Sequence, residues 1–369
     1  MSVPFIDLQR FEDGFLDDWS AVVAEMSRNT AFMGGPAVQQ LESNVAAACQ
    51  TQHAIGCGNG TDALQIALRA AGVEAGDVVL VPDLTFWATY EAIVNNGAKP
   101  VTVDVNRADL QMDFDLFCAA VEKYKPKAAL LVHLYGWGTG RLQEFRAFSQ
   151  KNNVALVEDG AQAWGVQYKG QSIYKEAQIA TISFYPAKVY GAAGDAGAVL
   201  TNDSETAKQI RSIGNHGRSE HYSYDYVGWN SRMDSLQAAW LNLGYGHLEA
   251  RLSSRRQVAA LYRAALQGKY ECLAPPTDYT ENGYLNCILL ESAARRDTIT
   301  ASLKEKGIGF GIVYPEPMSV QNGAGKYLHA KVGGDTAAAV CQQILNLPLF
   351  AYMRDDEVNQ VIETMLALA

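Results

Sequence analysis

FYPAKVYGAAGDAGAV (Phe184–Val199) carries one lysine, Lys188, in a run of small and apolar residues, and an aspartate, Asp195, seven positions later. An apolar run at Ile179–Phe184 leads into it, and a second follows at Ala198–Thr201; both read as strands. A lone lysine at such a place is either a surface charge or an amine held at a strand end. In an open α/β sheet, ligands gather where strands end at their carboxyl side. What else falls at such ends therefore decides between the two.

Working outward, the chain alternates. An amphipathic helix is expected at Asp62–Ala71, a strand at Val78–Pro82, a helix at Thr89–Asn96 and a strand at Pro100–Val105. Then come a helix over about Leu116–Lys123, a strand at Ala128–Leu134, a helix over Leu142–Asn152 and a strand at Val154–Val157. Strands alternating with helices imply a mostly parallel sheet covered on both faces, and continuous apolar runs such as AALLVHL (Ala128–Leu134) fit that burial. A long helical region, Asp234–Leu266, has Gly244 and Gly246 as interruptions. Beyond it the pattern predicts strands near Tyr284–Glu291 and Gly309–Val313, and helices near Asp297–Lys306, Asp335–Leu345 and Asp355–Leu368. The expectation is a large α/β domain, residues 1–245, and a smaller α+β domain, residues 246–369.

Composition narrows the partners. A net charge of −10 argues against nucleic acid or an anionic membrane surface. The start, MSVPFIDLQRF, lacks the basic and apolar regions of a signal peptide, and no apolar run spans a bilayer. A cytoplasmic protein is expected. The cysteines at 49, 57, 118, 272, 287 and 341 form no Cys-x-x-Cys pair, so they signal no metal or iron–sulfur site. The Gly56–Thr61 stretch GCGNGT misses the dinucleotide fingerprint at Thr61. As a glycine-rich turn feeding a helix, it still points backbone N–H groups and the positive helix end at an anion such as phosphate.

Four stretches then meet at one sheet edge. EDGAQAWG places Asp159 after Val154–Val157. FYPAK places Lys188 just beyond Ser183. PDLTFWAT places Phe86 and Trp87 after the Val78 strand, and GNGTDAL opens the first helix. Singly, Asp159 is explained as a strand-end cap, Lys188 as a surface charge and Phe86 as core. Together, a phosphate cradle, a carboxylate, an aromatic face and a lone lysine suit pyridoxal 5′-phosphate. The amine bonds the aldehyde, the carboxylate keeps the ring nitrogen protonated, and an aromatic ring stacks on the pyridine.

FIDL (Phe5–Leu8), GGPAVQQLE, NGTDALQIAL, VPDLTFWAT, VHLYG, VEDGAQAWG, the Lys188 stretch, NHGR, GWNSRMDSLQAA, VYPEPM and LNLPLF run along nearly the whole chain. With them the sequence resembles the sugar aminotransferases of the DegT/DnrJ/EryC1/StrS family, which have the fold type I architecture of aspartate aminotransferase. The resemblance implies roles. Lys188 would be the Schiff-base lysine and proton carrier, and Asp159 would pair with the pyridine nitrogen. Gln162 would bond the ring hydroxyl, and Phe86 would stack on the ring. Gly60, Thr61, Asp62 (through its backbone N–H) and Ser183 would hold the phosphate. Asn230 would reach the phosphate of a neighbouring subunit, which implies a homodimer. Tyr314 and Arg232 would contact substrate, Arg232 offering its guanidinium fork to a carboxylate of the amino donor, L-glutamate; a structural ion pair is the other reading of Arg232.

This sequence departs from the family pattern at three places. GDAG, with Ala196, replaces GDGG; Val313 stands where a histidine precedes Tyr-Pro; and Ser319 stands at a further histidine position, both near the substrate pocket in family members. Losing a cation at Val313 weakens the case for a sugar carrying a carboxylate. NSRMD (Asn230–Asp234) is similar to members that aminate a 3-keto rather than a 4-keto position. The resemblance thus implies transfer of an amino group to a nucleotide-linked keto-deoxysugar, for example a dTDP-3-keto-6-deoxyhexose. The alternatives are a C4-keto sugar, a UDP-3-keto-N-acetylhexosaminuronate, or a non-catalytic PLP-binding regulatory role. Lys188 argues against the related dehydratases, which carry histidine there.

Overall fold

In the computed structural model, which describes residues 2–369, the fold is organised by an eight-stranded sheet. Its order is His53–Cys57, Gly197–Thr201, Ile179–Ser183, Ala155–Asp159, Ala128–Val132, Val78–Pro82, Lys99–Val103 and Ala330–Val332. Only Gly197–Thr201 runs against the others; it is antiparallel to both of its neighbours. The remaining pairings are parallel. Chain reversals therefore need long crossovers, and the helices that supply them cover both faces.

Alternation along each strand feeds two cores. Leu80, Leu131 and Leu156 face one, while Val79, Val81, Leu130 and Val157 face the other. Burial of each such side chain contributes roughly 1.5–3 kcal/mol. A third core lies mainly toward the C-terminus, where Tyr262 and Leu266 meet Ile288, Leu303, Leu347 and Val361.

Helix starts carry their own signals. Asn59, Asp113, Asp203, Asp234 and Ser292 each accept a hydrogen bond from a backbone N–H of the first turn, an arrangement worth about 1 kcal/mol apiece. Asp234, in the NSRMD segment, is thus a helix cap.

Most predicted elements are present, with ends shifted by a few residues. Helices Gly60–Ala70, Trp87–Asn95, Phe114–Tyr124 and Leu142–Lys151 are four of them. The expected long helix is two, Ser235–Tyr245 and Leu248–Leu266. Two expectations are corrected. Gly309–Val313 is not a strand; it makes one bridge, Gly311 to Asn346. The N-terminal segment packs there instead: a Cβ on Gly309 would lie 2.4 Å from the Phe5 nitrogen, and one on Gly311 2.5 Å from the Phe5 ring. The helix expected to reach Leu345 ends at Gln343, and Ile344–Leu347 becomes a strand paired with Asn286–Leu289. Helices Phe15–Arg28 and Pro36–Cys49 were not foreseen. Among the described residues, no helix is long and apolar enough to cross a membrane.

Candidate active site

The parallel strands deliver Asp159, Ser183 and the loops after Cys57, Pro82 and Val132 to one edge. Asp159 is the last residue of its strand and only 3% exposed. Its Oδ2 accepts a hydrogen bond from Thr89 Oγ1 at 2.9 Å, and its Oδ1 accepts one from the Ala161 N–H at 3.0 Å. Thr89 is itself held by Thr85, 2.9 Å between hydroxyls. Among the described residues, no cation pairs with this buried carboxylate, so a protonated ring nitrogen would give it the partner that buried charges need.

Lys188 follows the Ile179–Ser183 strand on a half-buried loop. Its Nζ donates to Tyr284 Oη at 3.2 Å and lies 5.0 Å from that ring's centroid. No carboxylate pairs with it among the described residues. An amine positioned by one hydroxyl and free of an ion pair is available for covalent chemistry.

Gln162 is gripped at both ends. Its Oε1 accepts from the Tyr135 N–H at 2.6 Å, and its Nε2 donates to Tyr314 Oη at 3.0 Å. One Nε2 hydrogen remains for a ligand. The Tyr314 ring lies 6.2 Å from Phe86, tilted by 36°. Burial pushes the Tyr314 phenol well above its ordinary range, with Tyr284 and Asp159 adding to the effect, so it stays a donor at neutral pH. Phe86 is 57% exposed.

The anion cradle lies at the start of helix Gly60–Ala70. The N–H groups of Gly60 and Thr61 are in the first turn, where no intrahelical acceptor exists, and they have no other partner among the described residues. Glycine is required at 60, because a Cβ there would sit 2.7 Å from Ser183 Cβ. Gly197 serves the same close approach from the neighbouring strand, since its Cβ would lie 2.4 Å from the Asn59 carbonyl oxygen. The role expected for the Asp62 N–H is corrected, as that group is already bonded to Asn59 Oδ1 at 2.8 Å. The Asp62 carboxylate instead accepts from Ser231 Oγ at 2.6 Å, and Ser231 Oγ accepts from the Gly58 N–H at 3.0 Å. Of the residues expected to hold an anion, Gly60, Thr61 and Ser183 are thus together at the helix start.

Asn230 and Arg232 are exposed and bonded to each other, Nη2 to Oδ1 at 2.7 Å. No hydrogen bond or ion pair ties either one to Lys188, Asp159 or Gln162 of the same chain. Ser319 does not face the pocket either. Its N–H and hydroxyl both donate to buried Asp83, at 2.7 and 2.8 Å. Sequence reading missed Thr89, Tyr135 and Tyr284. Thr89 and Tyr135 stand in motifs already singled out, whereas Tyr284 is brought in from a distant segment.

Comparison with known proteins agrees with this geometry. The chain is 35% identical to a pleiotropic regulatory protein of Geobacillus stearothermophilus, over 98% of this chain and 97% of that one. It is 34% identical to a UDP-N-acetyl-3-dehydro-alpha-D-glucosamine 3-aminotransferase of Acidithiobacillus ferrooxidans, over 98% and 96%. The crystal structure of ntda from Bacillus subtilis with bound cofactor PMP superposes with a TM-score of 0.91 at 28% identity, covering 100% of this chain and 85% of that one. Residues 17–366 match one family throughout, and the chain belongs to the DegT/DnrJ/EryC1/StrS aminotransferase family.

Proposed function

We propose that the protein is a pyridoxal phosphate-dependent aminotransferase that moves the amino group of L-glutamate to the C3 ketone of a nucleotide-linked keto-deoxysugar. The observation that carries the reading is the meeting of unpaired Lys188, unpaired Asp159 and the Gly60–Thr61–Ser183 cradle at one sheet edge. The residues fit the cofactor, which supplies an aldehyde able to carry an amino group and a ring that accepts electrons. Lys188 Nζ would hold the cofactor at its aldehyde and, once freed, would carry a proton at the donor Cα. Tyr284 orients that nitrogen. Asp159, locked by Thr89 and Ala161, would hold the ring nitrogen protonated. Gln162, with one Nε2 hydrogen free, would donate to the ring hydroxyl, Phe86 would cover the ring, and Tyr314, beside Phe86, would lie on the substrate side. Positioned proton transfer contributes roughly 10²–10⁴-fold. The name of the Acidithiobacillus relative supports a 3-keto acceptor. A regulatory role, for which the Geobacillus relative's name speaks, would hold the cofactor through the same residues and would differ in leaving glutamate unreacted. Six free thiols and the absence of a spanning helix among the described residues support a cytoplasmic setting.

Absorbance of the cofactor-loaded protein tests the donor half. Addition of L-glutamate is expected to bleach the visible cofactor band, and a panel of UDP- and dTDP-linked 3-keto and 4-keto sugars to restore it, fastest with 3-keto members. A band that glutamate leaves unchanged rules out the reading; restoration fastest with 4-keto sugars rules out only the C3 assignment.

The same proposal includes a homodimer with shared sites. A ribbon, Arg218–Glu220 with Ser223–Tyr224, stands beside Asn230 and exposes aromatic and apolar surface, Tyr222 at 77% and Val227 at 84%. Such a patch supports burial by a second copy. With Asn230 acting across the interface, neither Lys188→Ala nor Asn230→Asp should be active alone. Refolding them together should restore about one quarter of wild-type activity, since half the dimers then hold one intact site. No recovery means that each chain completes its own site.

A further inference from the structure

A buried carboxylate, Asp83, stands beside the site without entering it. Asp83 follows strand Val78–Pro82 and is fully buried. Both of its carboxylate oxygens are taken by one residue. Oδ1 accepts from the Ser319 N–H at 2.7 Å, and Oδ2 accepts from the Ser319 hydroxyl at 2.8 Å. The Asp83 backbone carbonyl accepts from the Met318 N–H at 2.8 Å. Lys331 Nζ is 3.6 Å from Oδ2, beyond hydrogen-bond reach, and partly exposed. Burial raises the Asp83 pKa; the hydrogen bonds from Ser319 and the charge of Lys331 oppose it, and Asp104 adds to it. Burying a carboxylate is costly. Two charge-assisted bonds to a single residue fix both its place and its orientation.

This latch joins the two loops that bear the aromatic rings of the site. Phe86 comes three residues after Asp83 and Tyr314 five before Ser319, and the two rings are 6.2 Å apart. The Asp83 loop also carries Thr85, whose hydroxyl meets that of Thr89 and through it Asp159. The Val313–Ser319 segment is held at both ends. At one, Tyr135 Oη donates to the Val313 carbonyl at 2.7 Å and Gln162 Nε2 donates to Tyr314 Oη at 3.0 Å. At the other, Asp83 takes Met318 and Ser319. Between the anchors lie Pro315, Glu316 and Pro317, the first two of them exposed. Two prolines fix φ twice in three residues, so an anchor at Met318 is transmitted to Tyr314.

We infer that Asp83 is a positioning residue for the sugar acceptor: by holding Met318 and Ser319 it sets the Tyr314–Pro317 segment as the wall against which the sugar lies. The inference rests on the aminotransferase reading. Lys188, Tyr284, Thr89 and Asp159 make no hydrogen bond or ion pair with Asp83, so the groups on which the donor reacts are aimed without it. A nucleotide-linked sugar needs more wall than an amino acid does, and the latch therefore bears on the second half of the reaction.

Wild type is compared with Asp83→Asn, which keeps the shape and removes the charge. For the member of the UDP- and dTDP-linked keto-sugar panel that wild type uses fastest, KM should rise about 10-fold, with bleaching by L-glutamate as fast as in wild type. Ser319→Ala, which loses only the hydroxyl, should raise that KM about 3-fold, and Ser319→Thr, which keeps the donor, should leave it unchanged. A merely structural role would slow both halves of the reaction together. Hydrogen exchange reads the latch without turnover: the Met318 and Ser319 amides should exchange about tenfold faster in Asp83→Asn, while those of Ile179–Ser183 keep their protection. Unchanged exchange at 318 and 319 overturns the inference, as does an unchanged keto-sugar KM or an equal slowing of both halves. Should Asp83→Asn not fold, Ser319→Ala decides: a raised keto-sugar KM with normal bleaching supports the inference, and an unchanged KM overturns it. A wild type that L-glutamate does not bleach removes the aminotransferase reading instead; faster exchange at 318 and 319 then keeps the latch, and unchanged exchange removes that too.

Discussion

Lys188→Ala is expected to lower amino transfer from L-glutamate by about 10⁴-fold or more, because the variant loses both the covalent anchor and the group that carries the proton. The fold should be nearly unaffected. Lys188 makes one side-chain hydrogen bond, to Tyr284 at 3.2 Å, and no ion pair among the described residues. Its removal creates no closed cavity, since the loop is half-buried and open to the site, so a stability change within about 1 kcal/mol is expected. The cofactor should still bind through Gly60, Thr61, Ser183 and Asp159, but without the absorbance that marks a bond to the lysine. Single-turnover transfer, measured beside thermal unfolding, separates the two effects. Residual transfer within tenfold of wild type would remove Lys188 from the chemistry. A large drop in melting temperature would show that the lysine is structural.

Lys188 and Asp159 were legible because their position follows from strand ends, which apolar runs such as Ile179–Ser183 announce. The groups that aim them were not. Thr89 comes from a helix and Tyr284 from a loop about a hundred positions after Lys188, and only tertiary packing brings them together. The Asp62 amide failed as a phosphate ligand for a local reason: Asn59 in extended conformation caps the helix and takes that N–H. The misread C-terminal elements have two causes. Apolar runs buried on every side lose their period, as in Ile344–Leu347, where all four residues are buried, so helix and strand look alike. At Gly309–Val313, two glycines make room for Phe5, and the N-terminal segment occupies the space a strand partner would need. Arg255, 6% exposed on its helix, shows the same limit for burial. An arginine in a helix reads as a surface charge until the fold buries it.

Arg146→Met should cost roughly 3–5 kcal/mol and lower the melting temperature by on the order of 5–15 °C at neutral pH. Glu158 precedes Asp159 and points to the opposite side of the strand, where its side chain is 1% exposed. Arg146 clamps it with Nε to Oε1 at 2.8 Å and Nη2 to Oε2 at 2.9 Å, and the same Nη2 donates to the Ile173 carbonyl at 2.6 Å. His133 Nε2 lies 2.8 Å from Oε2. Burial alone would raise the Glu158 pKa. The Arg146 charge and the hydrogen bonds from His133 and Arg146 outweigh it and hold the carboxyl below its usual range. A folded-state pKa below the unfolded one contributes stability above about pH 4.3, the unfolded value, and loses it as pH falls through the folded value. In Arg146→Met the desolvation remains and the charge that opposed it is gone, so the folded pKa moves above the unfolded one. The variant's deficit should then be largest at and above neutral pH and shrink on acidification, as the buried carboxyl takes up its proton. Replacing both partners, as Arg146→Met with Glu158→Gln, should recover much of the loss, since no charge is then left buried. Melting curves of the three proteins between pH 8 and pH 5 decide the matter. A deficit independent of pH, unrelieved in the double variant, would assign Arg146 to packing and leave the strand end beneath Asp159 with no electrostatic support.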